Sequence, residues 1–334
     1  MAPCILVTGG AGYIGSHVVL RLQADFHVAV LDNLSCGHRQ LLPPGTEFHH
    51  LDLRDRAGVS ALFRDHHFDA VIHFAARAYV GESMQQPGRY FENNVTGTQN
   101  LLDAMTGTGV STLVFSSTCA VYGTPQAPLN ETHRLAPINP YGESKAMVER
   151  MLHWYHQIHG LRYLALRYFN AAGADPQGRS GEWHEPEPHL IPRLLAAAEA
   201  NLPFPVYGTD FPTRDGSCIR DFIHVTDLAE AHVAGLRYLE QGGAPGSVNL
   251  GTGTGISVLD AVARAQAVLD RPIAVEPQPR RAGDPAELVA SADRAREMLG
   301  WVPQHSRFDH ILRDAWAWQQ RLPAIRKLAI AAHA

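Results

Sequence analysis

Residues 7–17 read VTGGAGYIGSH, an apolar run broken by Gly9, Gly12 and Gly15, spaced three apart, and followed at once by a helical pattern. This strand–turn–helix junction constrains the fold more than any other feature of the chain. Glycine at such positions admits a tight turn, close approach of backbone to a ligand and close packing of helix on strand. The helix N-terminus then presents free N–H groups and the positive end of its dipole, a setting suited to a pyrophosphate. Alone the pattern is weak; its place between an apolar run and a helix makes it informative. Asp32 closes the next β-rich run, VAVLDN, 17 residues past Gly15. A carboxylate there accepts hydrogen bonds from ribose hydroxyls and repels a 2′-phosphate, so the expected dinucleotide is NAD rather than NADP.

The rest of the first half agrees with that junction. Apolar runs at 5–7, 27–31, 70–73, 112–116 and 163–167 alternate with helical patterns near 13–24, 57–66, 85–107 and 141–159. Strands separated by helices imply βαβ units, and runs without polar alternation imply strands covered on both faces. The fold class expected is α/β, a Rossmann-type doubly wound parallel sheet with a smaller mixed α/β C-terminal substrate domain. From about residue 173 the rhythm changes to turn-rich stretches such as 174–181, 185–188 and 212–216. Residues 1–172 are expected to form the NAD-binding domain and 173–334 the substrate domain, which closes over the C-terminal ends of the strands. Segments near 220–250, with strand-like runs at 221–225 and 247–250, are expected to return to the first domain. The stretch 322–334 reads as a trailing helix without recognisable chemistry.

With 45% hydrophobic and 18% charged residues over 334 positions, the chain has the make-up of a folded globular protein. A net charge of −5 supplies no basic field, so no nucleic-acid partner is expected. Cys4, Cys36, Cys119 and Cys218 are scattered, with no Cys-x-x-Cys pair and no metal-like histidine spacing beside them. Reduced thiols, a cytoplasmic location and no metal are expected. No apolar run approaches bilayer length and no charged leader precedes the first strand, so neither membrane association nor secretion is expected.

The stretch NPYGESK carries the candidate chemistry. Tyr141 and Lys145 are four residues apart, which places them on one helix face about 5–6 Å apart. A free phenol ionises near pH 10, too high for a base at neutral pH. A neighbouring ammonium and a nicotinamide cation both favour the phenolate, so Tyr141 is expected to take a hydroxyl proton while a nicotinamide takes the hydride. Upstream, the run 115–118 ends a strand with Ser116, Ser117 and Thr118, whose hydroxyls fall beside the same point.

With these elements in this order, the chain resembles the extended short-chain dehydrogenase/reductase family, and within it the branch that epimerises nucleotide sugars. The carriers are VTGGAGYIGSH, DNLSCG, HFAA, NNVTGT, FSSTCAVYG, NPYGESK, LRYFNAAGADPQG, PHLIP, PTRDGSCIRDFIHVTDLA and RRAGDPAE, running from Val7 to about Trp301. The resemblance implies a transient 4-keto sugar and a tightly held NAD. It implies NAD contacts at Gly9, Gly12, Tyr13, Ile14, Gly15, Asp32, Asn33, Leu34, Ser35, Cys36, Gly37, Asp52, Leu53, Phe74, Ala75, Ala76, Ala78, Asn93, Ser116, Lys145, Tyr168 and Phe169. It implies Tyr141 as catalytic base, Thr118 as its partner at the sugar, and Lys145 beside them. It implies a UDP-sugar site of Asn170, His189, Leu190, Pro205, Val206, Tyr207, Arg220, Arg281 and Asp284, with Leu288 where family members limit sugar size. Members are usually homodimers joined through long helices, and Met147, Met151, Trp154, Tyr155 and Ile158 form an apolar stripe suited to that, although core packing explains it equally.

Arg220 and Arg281 have the fork geometry to clamp phosphates, and Asp284 can accept from a ribose. Two rival activities begin with the same oxidation: a nucleotide-sugar 4,6-dehydratase and a UDP-glucuronate decarboxylase. A dehydratase carries Asp-Glu directly after the threonine for its elimination step; here Cys119 and Ala120 stand there. A non-catalytic NAD-binding regulator is the third alternative, against which Tyr141 and Lys145 argue.

Overall fold

The computed structural model describes residues 2–123, 128–281 and 284–331. Ala282 and Gly283 of RRAGDPAE and the last three residues of the trailing segment lie outside them. The strands in chain order are β1 (Cys4–Thr8), β2 (His27–Asp32), β3 (Glu47–His50), β4 (Ala70–His73), β5 (Thr112–Thr118), β6 (Arg162–Tyr168) and β7 (Asn170–Ala172). They continue with β8 (Phe204–Tyr207), β9 (Ile219–His224), β10 (Gly246–Leu250), β11 (Gly255–Ser257), β12 (Val275–Gln278) and β13 (Glu287–Leu288). Seven form one all-parallel sheet in the order β10-β6-β5-β4-β1-β2-β3. Strand order reverses between β1 and β4, and in such sheets a crevice opens there, outside the carboxyl ends of the strands.

Alternate residues of each central strand enter opposite core layers. Ile5, Val7, Val28 and Val30 pack under the helices Tyr13–Leu22 and Val225–Glu240. Leu6, Ala29 and Leu31 pack under the helices Arg56–Asp65, Gly97–Thr108 and Pro140–His159. Both faces of the sheet are therefore apolar, which is why its strands read as unbroken hydrophobic runs. This is the doubly wound α/β fold. A third core, with Leu194, Leu195, Phe204, Val262, Ile311 and Leu312, lies under the helices Leu190–Ala200, Val258–Leu269 and Phe308–Ala331 and the β8–β12 pair.

The segments after 172 divide between the two bodies. β10 joins the edge of the large sheet beside β6. β9 instead centres a second sheet with β11, β13 and β7, so residues 170–172 pair outside the large sheet. Two expectations change in detail. The single helix expected near 85–107 is broken into Val80–Gln85, Pro87–Tyr90, a π-helical stretch Phe91–Thr96 and Gly97–Thr108. Pro87 begins a new helix because it lacks the N–H that an interior position needs, and the widened π turn is the kind often found at functional sites. β3 escaped the apolar-run reading because Glu47-Phe-His-His is a part-exposed edge strand with one apolar side chain.

Candidate active site

A single cleft of about 850 Å³ runs along the carboxyl ends of the large sheet and beneath the second body. Its first lobe is lined by the glycine turn, the end of β2 and the loop after β4. Gly9 has φ +71°, and a Cβ there would stand 2.5 Å from the Ala75 nitrogen; one on Gly15 would stand 2.3 Å from the Gly9 oxygen. Any larger side chain would collide with the backbone of the turn itself or of the loop after β4. The helix Tyr13–Leu22 starts after Gly12 with no capping side chain, leaving its first N–H groups directed to the crevice. Asp32 accepts from the Ala11 N–H (3.0 Å) and from the Leu34 N–H (2.8 Å), one on each carboxylate oxygen. Burial raises its pKa and these two bonds oppose the rise. Each oxygen retains acceptor capacity for a ribose hydroxyl. The donor set and the cradle fit NAD.

Two further groups hold this lobe in shape. Asn33 donates to Asp52 (2.8 Å), whose carboxyl Arg54 holds well below the usual range. Asn94, which sequence reasoning passed over in favour of its neighbour Asn93, is buried in the π-helical stretch. Its Oδ1 accepts from the Arg77 N–H (2.8 Å) and its Nδ2 donates to Ser144 Oγ (2.9 Å). It thereby fastens the loop 74–78 to the helix that bears Tyr141 and Lys145.

That helix begins sharply. Asn139 accepts from the Gly142 N–H (2.8 Å), Pro140 occupies the first turn, and Gly160 closes the far end at φ +71°. Its first two turns carry Tyr141 and Lys145 into the cleft. The Lys145 ammonium donates to the Ser116 carbonyl (2.7 Å) and lies 4.7 Å from the Phe115 ring centre. Burial pushes it down to about 7, against the charge of Glu149. The Ser116 hydroxyl meets Tyr168 OH at 2.5 Å. The Tyr141 phenol departs from expectation: burial and then Tyr168 raise its pKa, while a hydrogen bond with Thr118 pulls it down. Burial is the largest of these influences, and the phenol lies above its ordinary range.

The second lobe gathers the groups expected for a nucleotide. Arg220 and Asp284 pair with each other (3.1 Å), and Arg220 also donates to the Ile219 and Pro285 carbonyls. The Arg281 guanidinium stacks 3.9 Å from the Tyr207 ring centre. Hydrogen bonds from Arg193, and then from Arg281, draw the Tyr207 phenol down. Arg193 was not foreseen; its only signal is its place three residues after Leu190. Asn170 donates to the Asp221 carbonyl (2.9 Å), and His189 and Leu190 open the helix Leu190–Ala200.

Two expected contacts do not line the cleft. Val206 is buried in the third core, because β8 alternates and turns Pro205 and Tyr207 the other way. Leu34, at φ +57°, spends its N–H on Asp32, and its side chain stays off the cleft wall. The remaining expected residues all line it, as do Cys119 and Ala120.

The sequence pattern of the NAD dependent epimerase/dehydratase family matches residues 5–251. The chain belongs to the NAD dependent epimerase/dehydratase family. It is 50% identical over 320 residues to the UDP-glucose 4-epimerase of Rhizobium leguminosarum bv. trifolii, covering 95% of this chain and 97% of that one. The structure of UDP-glucose 4-epimerase from Brucella ovis in complex with NAD superposes with a TM-score of 0.91 at 47% identity, covering 95% and 98%. That from Bifidobacterium longum in complex with NAD+ and UDP gives 0.89 at 35%, covering 96% and 99%. No helix among the described residues is long and apolar enough to cross a membrane.

Proposed function

We propose that the chain catalyses reversible inversion at C4 of UDP-galactose and UDP-glucose through a 4-keto sugar, with NAD retained through the cycle. The observation that carries the reading is the arrival of Tyr141, Thr118 and Lys145 at the junction of a glycine cradle with an arginine-bearing lobe. When bound, NAD supplies a reversible hydride acceptor and a positively charged ring. Tyr141 takes the O4 proton, with Thr118 relaying between phenol and sugar hydroxyl, and returns it after the hexose has turned over. Lys145, fixed on the Ser116 carbonyl, stabilises the phenolate. Arg220, Asp284, Arg281 and Tyr207 hold the nucleotide while the hexose, met by fewer directed groups, is free to swing. Asp32, Asp52 and the loop 74–78 hold the dinucleotide.

The dehydratase alternative is disfavoured by Cys119, whose thiol burial pushes up to about 12, and by Ala120. Neither exchanges protons at neutral pH. Leu288 lies in register with Arg220 and lines the cleft beside Phe169, and a leucine there sets no bulky ring against the sugar, so the reading extends to activity on UDP-N-acetylhexosamines. A cytoplasmic homodimer completes the reading. Its support is four unpaired cysteines and the exposed Trp154 (62%) and Ile158 (67%) on the helix Pro140–His159. Met151 and Tyr155 pack instead on the core, so only part of the stripe is free for a partner. Incubation of the purified chain with UDP-galactose, without added NAD, tests the function: UDP-glucose is expected, a 4-keto-6-deoxy sugar points to the dehydratase, and no turnover points to the regulator.

A further inference from the structure

The loop between Ser180 and the helix Leu190–Ala200 carries the spacing Glu-x-His-x-x-Glu-x-His at Glu182, His184, Glu187 and His189. The fold closes this spacing into one cluster, with a ligand atom from each side chain within 4.8 Å of the others. Glu182 Oε1 stands 3.2 Å from His184 Nδ1 and 2.5 Å from His189 Nδ1. Glu187 stands 3.4 Å from His184 Nδ1 and 3.1 Å from His189 Nδ1. The Glu182 side chain is only 6% exposed, yet its Oε1 and the His184 Nδ1 it faces make no hydrogen bond. A buried carboxylate oxygen without a hydrogen bond is costly. Glu182 Oε1 and His184 Nδ1 approach one another without the alignment of an N–H donor and its acceptor, as ligands do around a common centre, whereas His189 Nδ1 and Glu187 share a hydrogen bond (3.1 Å).

We propose that Glu182, His184, Glu187 and His189 form a binding site for one divalent transition-metal ion of the zinc class. Two imidazoles and two carboxylates make a nitrogen–oxygen set suited to a tetrahedral zinc-like ion, whereas magnesium and calcium take oxygen ligands. Donors about 2.0–2.1 Å from zinc are about 3.3 Å apart at tetrahedral angles. Three of the four separations above already lie near that value. The two carboxylate charges balance the ion. The His184 ring lies edge-on to Tyr13 and Tyr79, at 6.4 and 5.9 Å between centres. The ion would tie the loop 182–189, a wall of the cleft, between the glycine-turn helix and the helix Leu190–Ala200. His189 then serves the metal rather than the nucleotide directly. A second cluster, Glu47 with His49 and His66, lacks this feature: it is not buried, and Glu47 already accepts hydrogen bonds from His27 and His49. It serves as the control.

The test is a cobalt(II) titration of the untagged, chelator-treated full chain, read by visible absorption and by metal content per chain. One equivalent with the intense bands of a tetrahedral site is expected. Affinity should fall about 100-fold or more in His184→Ala and in the near-isosteric Glu182→Gln, and hold in His49→Ala. Retained NAD content in both cleft variants shows that they fold. Absence of stoichiometric cobalt binding, binding indifferent to Glu182→Gln and His184→Ala, or binding lost in His49→Ala would each overturn the site.

Discussion

The Lys145 ammonium donates to the Ser116 carbonyl across 2.7 Å, joining the catalytic helix to the carboxyl end of β5. One turn further on, Glu149 opposes the downward push that burial exerts on that ammonium. Lys145→Met removes the charge and keeps most of the apolar stem. Turnover of UDP-galactose should fall roughly 10²–10⁴-fold, the usual worth of a positioned acid–base system, with the fold retained. Steady-state kinetics beside a circular dichroism spectrum check this; a loss under tenfold contradicts it.

Tyr141→Phe deletes the hydroxyl that exchanges the O4 proton and leaves the glycine cradle untouched. Activity should drop by a similar factor while bound NAD, measured after denaturing release, stays at the wild-type level. Loss of both together would assign Tyr141 to structure instead.

Behind the site, Glu149 and Arg167 form a buried pair. Ser117 donates to Glu149 at 2.5 Å, Arg167 donates to Tyr122 OH at 2.9 Å, and Tyr122 OH donates to Asn249 at 2.6 Å. Arg167→Met strands the Glu149 charge and should cost about 3–5 kcal/mol in urea denaturation, whereas Arg167→Met with Glu149→Leu should recover most of it. Equal losses in the single and double variants would contradict the charge argument.

Three buried imidazoles govern acid stability. Burial pushes His73 down to about 3 and His17 and His232 to about 4. Each is lowered from an unfolded value near 6.5, so its contribution is complete above pH 6.5 and is lost as pH falls towards 3–4. Each adds up to about 1.4 kcal/mol of lost stability per pH unit in that interval. Urea midpoints between pH 6.5 and 5 should fall accordingly, and His232→Gln should flatten the slope by one such increment. Midpoints flat across the interval would refute the assignment.

Leu288→Tyr places a ring against the sugar lobe opposite Arg220. Turnover of UDP-N-acetylgalactosamine should fall about tenfold or more relative to UDP-galactose. An unchanged ratio removes Leu288 from specificity.

The large sheet was legible because its strands are covered on both faces and its turns carry glycine where φ is positive, as at Gly9. Tyr141 and Lys145 were legible because four-residue spacing survives any helix. Val206 was misplaced because a motif names consecutive residues, whereas a strand shows only alternate ones to a cleft. Asn94 and Arg193 were missed because their value lies in distant partners, Arg77 with Ser144 and Tyr207. The upward push on the Tyr141 phenol was also hidden, since desolvation depends on what the fold packs around it.

Departure and return of one hydride at C4 within one cleft is tested with UDP-galactose deuterated at C4. The chain, with no NAD added, should yield UDP-glucose with deuterium still at C4, read by nuclear magnetic resonance. UDP-glucose bearing protium from water at C4 would contradict it.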